Sequence, residues 1–250
     1  LVLTPAIGTR LTFVALSLFL LLVALVGLAL SGARRAWAYV AMPAAIVALA
    51  LLMGGRPVKA APDAIYETES AYNYIQVIEE NGYTLLRLNE GQGVHSIYKS
   101  DQLNFNGPWE QVLSAPFFNT SPVNPDEIKQ IAIVGLAAGT TAREALVVFP
   151  NAQIDGIEID PKIIDVGEKY FALDTDDVNV IIQDGRWAMK NSPKNYDIIS
   201  VDAYRPPYIP WHMTTVEFFT TLQEHLAEDG VVVINVGRAP EDRRLVDALY

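Results

Sequence analysis

The stretch Ile131-Ala-Ile-Val-Gly135-Leu-Ala-Ala-Gly139-Thr140, answered further on by Ile154-Asp-Gly-Ile-Glu158-Ile-Asp160-Pro161, decides the fold. An apolar run feeds a turn of small residues, a helical segment follows, and a second apolar run ends in an acid. This is the order of a βαβ unit that grips a nucleoside. Small residues let backbone N–H groups approach the ligand, and the acid after the second strand can take two ribose hydroxyls. Gly135 and Glu158 lie 23 residues apart, against an expected spacing of roughly 20. The loop spacing is Gly-x-x-x-Gly, short of the full dinucleotide fingerprint, and no Lys-Ser/Thr follows to make a phosphate-binding loop. A sulfonium nucleoside of the S-adenosylmethionine type therefore fits better than NAD.

Working outward, residues 128–250 alternate strand and helix. Strands are expected at 128–134, 153–159, 178–182, 196–201 and 230–236, and helices at 140–149, 162–171, 186–191, 216–227 and from 242 onward. Such alternation predicts a parallel, doubly wound α/β sheet with ligands at the carboxyl ends of its strands. Upstream lies a small β-rich piece. Tyr72–Ile78 alternates, Asn81-Gly82 is a hairpin turn signal, and Tyr83–Leu88 and Gly93–Tyr98 supply further strands. A helix is expected over Trp109–Phe118.

The first 60 residues have a different character. Leu11–Leu30 and Ala36–Gly55 are each 20 residues without a charge, and about 20 apolar residues suffice for a helix to cross a bilayer. Ser31-Gly-Ala-Arg-Arg35 turns between them, and Trp37 and Tyr39 suit an interface. The expectation is a transmembrane helical hairpin over 11–30 and 36–55, hence a multi-pass membrane anchor in contact with lipid. Three basic residues on one side (Arg10, Arg56, Lys59) against two on the other (Arg34, Arg35) place the soluble part in the cytoplasm. The domains expected are 1–60 membrane segment, 61–125 β-rich subdomain with a connecting helix, and 126–250 nucleoside-binding domain. The chain ends inside a helical pattern at Tyr250, so more sheet is expected downstream and more spans upstream.

Charge is as unevenly spread as hydropathy. Residues 1–60 carry five basic residues and no acid, whereas residues 61–250 carry 13 basic and 29 acidic residues, a balance of −16. So acidic a domain repels phosphates, which argues against nucleic acid, and attracts cationic substrates. There is no cysteine, and His95, His212 and His225 show no ligand spacing, so neither a thiolate nor a zinc site is expected. Three acids stand at successive strand ends: Glu158, Asp184 in Gln183-Asp-Gly185, and Asp202 in Val201-Asp-Ala-Tyr204. Each could equally cap a helix. As ligands, Asp184 would receive an adenine amino group and Asp202 would face the reacting centre.

Across about residues 66–240 these motifs resemble those of spermidine synthase and related polyamine aminopropyltransferases. The resemblance rests on Tyr72-Asn73, Gly135-Leu-Ala-Ala-Gly139, Ile157-Glu158-Ile-Asp160, Asp184-Gly185, and Asp202-Ala-Tyr-Arg-Pro206 leading to Thr215-Val-Glu217-Phe218. With the membrane hairpin it points to the membrane-fused branch. It implies a Rossmann-like, class I methyltransferase-type sheet behind a small N-terminal β-subdomain. It implies transfer of an aminopropyl group from decarboxylated S-adenosylmethionine to putrescine or a related amine, and a homodimer. Gly135, Ala137, Gly139, Glu158, Asp160, Asp184 and Gly185 would hold the donor. Asn73, Tyr204 and Glu110 would hold the amine, with Asp202 as the catalytic base. Two positions depart from the family. Ala138 stands where its loop carries an Asp, and Arg205 where its strand-end motif has a second Asp. Ala138 leaves open a methyltransferase using intact S-adenosylmethionine. The altered amine site leaves open a non-catalytic nucleoside- or polyamine-binding domain.

Overall fold

The computed structural model describes residues 3–32, 36–54, 61, 63–89, 93–119, 123–203, 209–236 and 242–249. Contacts divide the chain into two compact units, Leu1–Pro62 with Glu67–Tyr74, and Asp63–Tyr66 with Ile75–Tyr250.

In the first unit, α1 (Leu3–Leu30) is broken at Gly8, whose φ of 77° and ψ of 165° leave the helical region. The Glu69 carboxylate accepts from Thr9 N–H at 2.6 Å and so caps the long limb that follows the break. A 3₁₀ turn (Ala36–Val40) leads into α2 (Ala41–Met53). Arg10 Nη1 donates to the α2 terminal carbonyls of Met53 (2.7 Å) and Gly54 (3.2 Å).

The expectation of two spanning helices is met in part. Among the described residues one helix, Ala6–Leu30, is long and apolar enough to cross a membrane. Trp37–Met53 is a shorter apolar segment, and its α-helical part covers 13 residues, or about 20 Å against a hydrocarbon core of about 30 Å. Pro43 explains the shortening. It has no N–H, so it is accommodated in the first turn of an α-helix, and α2 starts two residues before it.

An antiparallel sheet has the order β1 (Ala64–Glu69), β2 (Tyr74–Glu80), β3 (Tyr83–Leu88), β4 (Val94–Tyr98). Asn81 and Gly82 both take positive φ (53° and 80°), as a two-residue hairpin with the right-handed strand twist requires. The strand expected from Tyr72 starts at Tyr74, because Ser70 Oγ accepts from Tyr72 N–H (3.0 Å) and Asn73 N–H (2.8 Å) and holds the chain in a turn. β1 was not among the expected strands. Ile75, Val77, Leu86 and Leu88 from this sheet pack with Ala138, Ile163, Val166 and Phe171, so its buried face rests on the nucleotide-type layer.

That layer is a five-stranded parallel sheet in the order β7-β6-β5-β8-β9. Its strands are β5 (Gln130–Val134), β6 (Gln153–Glu158), β7 (Val178–Ile182), β8 (Tyr196–Val201) and β9 (Leu226–Ile234). Upstream of it lie α3 (Pro108–Ser114) and a 3₁₀ turn (Ala115–Phe118), where one helix was expected. The crossovers carry α4 (Thr140–Val148), α5 (Pro161–Tyr170), α6 (Gly185–Lys190) and α7 (Val216–Glu224), and α8 (Arg244–Leu249) follows. Strand β5 is central, with Ile131, Ala132, Ile133 and Val134 all at most 2% exposed. Its continuous apolar run is what a strand covered on both faces needs. Helix α7 stops at Glu224, short of the expected 227, because His225 C=O is taken by Tyr196 N–H at 2.8 Å and the chain joins the sheet. The strand order reverses between β5 and β8, and a ligand crevice is expected outside the carboxyl ends of those two strands.

Candidate active site

Gly135 follows β5 and Asp202 follows β8, and the backbone brings them together at the reversal point. Asp202 N–H donates to Val134 C=O at 2.8 Å. Gly135 has φ of 96°, and a Cβ there would lie 2.6 Å from Asp202 C=O. Only glycine fits both the conformation and the approach. The loop is then pinned from two sides. Gly135 and Leu136 N–H both donate to Ile157 C=O (2.9 and 3.0 Å). Ala137, also at positive φ (49°), donates its N–H to Glu158 Oε2 at 3.0 Å. Ala138 N–H donates to the buried Ser96 Oγ at 3.0 Å. Gly139 at φ 89° caps α4, and a Cβ there would meet Leu173 Cδ1 at 2.7 Å.

A cavity of about 330 Å³ opens above this loop, within the range of small-molecule sites. Strand β4 (Val94, His95, Ser96), the start of α3 (Trp109), the start of α4 (Thr140, Thr141), Asp202 and Asn235 line it with Gly135, Leu136 and Ala137. Thr140 Oγ1 both donates to Ile97 C=O and accepts from Ile97 N–H (2.9 Å each), fastening the β4 wall to α4. Burial lowers the pKa of His95.

Asp202 is the acid on that wall. Burial raises its pKa to about 6, opposed by the hydrogen bond it accepts from Asn235 Nδ2, 3.0 Å from its Oδ1. Asn235 follows β9, next to β8 in the sheet, and its own N–H is held by Val201 C=O at 3.0 Å. Sequence reasoning missed Asn235. The signal was a polar residue closing the apolar run Val231-Val-Val-Ile234, legible only once β9 is known to neighbour β8.

The other expected site residues are placed as follows. Glu158, 8% exposed, ends β6 behind the loop. Its Oε2 accepts from Ala137 N–H and its Oε1 from Asp160 N–H, both at 3.0 Å. Burial raises its pKa to about 7, and those two N–H bonds hold it lower than burial alone would. Asp160 is fully buried and caps α5, accepting from Lys162 N–H at 3.1 Å. Asp184 caps α6 through Trp187 N–H (2.9 Å) and its Oδ2 meets His212 Nε2 at 3.1 Å. At Gly185 a Cβ would meet Val134 Cγ1 at 2.5 Å, so the glycine lets α6 close on β5. Glu110 has both oxygens on backbone: it accepts from Phe105 N–H, Asn106 N–H (3.1 Å) and Gly107 N–H (2.8 Å) and completes the capping box of α3. Asn73 belongs to the other compact unit, where its C=O accepts from Ser70 N–H at 2.8 Å. Tyr204 and Arg205 lie outside the described residues. Ala138 is fully buried in the apolar cluster beneath the antiparallel sheet, and it is Ala137 that lines the cavity.

A Rossmann-like sheet, an antiparallel β-subdomain over its glycine loop and an acid at the reversal point define an α/β fold of methyltransferase type. Comparison with known proteins agrees and narrows it. The model of the spermine/spermidine synthase domain matches residues 113–247, just over half of the chain. The chain belongs to the spermine/spermidine synthase domain family. A probable polyamine aminopropyl transferase of Bifidobacterium longum is 37% identical over 171 residues, covering 68% of this chain and 37% of that protein. A polyamine aminopropyltransferase of Vibrio vulnificus is 27% identical over 188 residues, covering 68% of this chain and 58% of that protein. The chain thus spans only part of the length of these relatives. Spermidine synthase from Thermotoga maritima superposes with a TM-score of 0.60 at 21% identity, over 75% of this chain and 62% of that one. A probable spermidine synthase from Corynebacterium glutamicum gives 0.58 at 20% identity, over 68% and 62%. These structural likenesses establish the fold.

Proposed function

We propose that this chain carries out aminopropyl transfer from decarboxylated S-adenosylmethionine to a small amine, with Asp202 as the proton acceptor. The observation that carries the reading is the Asp202 carboxylate on the cavity wall beside the glycine loop, with a pKa raised to about 6. An alkylamine has a pKa of about 10.4 and is nucleophilic only when neutral. A carboxylate there attracts the ammonium, accepts its proton and leaves the nitrogen lone pair free. The nitrogen attacks the carbon beside the sulfonium, the C–S bond breaks with its electrons going to sulfur, and methylthioadenosine departs. An Asp near 6 is a stronger base than an exposed Asp, and positioning supplies much of the remaining rate. Glu158 would turn from the loop N–H groups toward the ribose hydroxyls, and Asp184 would receive the adenine amino group. Gly135, Ala137 and Gly139 would shape the loop, and Asp160 and Gly185 would hold α5 and α6 in register.

The test is Asp202→Asn, assayed by mass spectrometry of the aminopropylated product. A loss of at least about 100-fold in kcat/KM is expected, with methylthioadenosine affinity retained. An unchanged rate sinks the assignment.

The same proposal takes α1, whose Phe13, Phe19 and Leu20 are exposed, as a membrane anchor, with α2 as the second limb of a hairpin and the catalytic unit on the cytoplasmic side. This corresponds to the membrane-fused branch. Retention of the protein in an alkaline-washed membrane fraction is the expected result, and release into the wash contradicts it.

A further inference from the structure

The segment before α7 clamps the start of α6. His212 Nε2 lies 3.1 Å from Asp184 Oδ2. A carboxylate oxygen accepts, so Nε2 carries the hydrogen. The His212 backbone C=O is held in turn by Arg186 Nη1 at 2.7 Å, and the same nitrogen reaches Thr215 Oγ1, the cap of α7, at 3.2 Å. Next to His212, Met213 is 3% exposed, and its Cε would lie 3.1 Å from a Cβ at Gly185. On its other side Trp211 meets the imidazole edge-on, with centroids 5.8 Å apart. The segment carrying the His212 ring is therefore held by α6 itself, through Gly185 and Arg186, the two residues that follow Asp184. Asp184 is bound as tightly: its N–H goes to Gln183 Oε1 at 2.9 Å and its Oδ1 accepts from Trp187 N–H at 2.9 Å. Both side chains remain about one third exposed, so a ligand can reach them.

A carboxylate offers about four lone-pair positions. The Trp187 N–H uses one and His212 another, which leaves both oxygens able to accept once more from outside. The cap alone fixes one oxygen and leaves the carboxylate free to turn about it. The His212 contact fixes the second. We propose that His212 is a positioning residue for base selection: it locks the Asp184 carboxylate so that its open lone pairs accept an exocyclic amino group and reject a carbonyl oxygen at the same place. This rests on the reading of Asp184 as the acceptor of the base amino group, and adds the residue that makes the acceptor selective. The ligand class is a 6-amino purine nucleoside, discriminated from its 6-oxo counterpart.

The experiment is calorimetric binding of 5′-methylthioadenosine and 5′-methylthioinosine to the wild-type chain, His212→Ala and His212→Gln, each checked for a cooperative thermal transition. Wild type prefers the amino form. His212→Ala narrows that preference by about tenfold, the size of one charge-assisted hydrogen bond. His212→Gln, whose amide N–H can still donate, recovers part of it. A purely structural role lowers both affinities equally and leaves their ratio unchanged, and that result overturns the proposal. A wild-type chain that binds methylthioadenosine without preference over methylthioinosine overturns the reading of Asp184 and this inference with it. A wild-type preference that His212→Ala leaves intact overturns the inference alone.

Discussion

Replacing Glu144 with Gln should remove a pH dependence of stability that the fold builds in. Glu144 sits on the buried face of α4, 1% exposed, and among the described residues neither of its oxygens has a hydrogen-bond partner. Burial, reinforced by the charge of Glu110 and opposed by that of Arg143, raises its pKa from 4.5 to about 8. Arg143 gives it no hydrogen bond: Nη2 donates to Ile97 C=O at 2.9 Å and the guanidinium lies over the Tyr98 ring. For an acid whose folded pKa is raised, the folded state holds the proton longer. Stability is therefore greatest below about 4.5, falls as pH rises, and levels off above about 8. Each pKa unit corresponds to about 1.4 kcal/mol, so the part lost between pH 6 and pH 9 is about 3 kcal/mol. Glu158 and Asp202 titrate in the same direction but are present in both proteins and cancel in the comparison. Urea unfolding of the detergent-solubilised chain, followed by tryptophan fluorescence, reads the difference. Glu144→Gln should gain about 3 kcal/mol relative to wild type between pH 6 and pH 9. Two curves that stay parallel across that range would refute the reasoning.

The approach of Gly135 to the Asp202 backbone predicts a cost of about 3 kcal/mol or more for Gly135→Ala, combining a left-handed conformation with a backbone overlap, measurable as a lowered urea midpoint. The Asp202 pKa of about 6 predicts that kcat/KM rises through pH 6 and flattens above it. Asn235→Ala removes the hydrogen bond that lowers this pKa, so the acidic limb should move to higher pH. A limb that stays in place separates Asn235 from the titrating group.

The sequence was most legible where one residue type answers one physical demand. The apolar runs 178–182 and 196–201 are strands as read, and Asn81-Gly82 makes the hairpin because two successive positive φ values leave few other choices. Glycines at 135 and 139 mark the loop for the same reason. Hydropathy alone left the helix bounds open at 36–55, where an uncharged run is long enough to span but Pro43 sets where its α-helix can begin. At 226–227 the tertiary capture of His225 C=O by Tyr196 overrode a helical pattern. The acids were the hardest to read. A carboxylate before a helix can cap it or meet a ligand, and only coordinates separate Glu110 and Asp160, spent on backbone N–H groups, from Asp202 on the cavity wall. Asn235 and Ser96 were invisible because their neighbours come from strands distant in sequence.

The most direct test of the central claim is calorimetric titration of the chain with decarboxylated S-adenosylmethionine, S-adenosylmethionine and methylthioadenosine under one set of conditions. An aminopropyltransferase site predicts that the decarboxylated donor binds more tightly than the intact one and that methylthioadenosine binds as its product. Tighter binding of intact S-adenosylmethionine, or of none of the three, contradicts it.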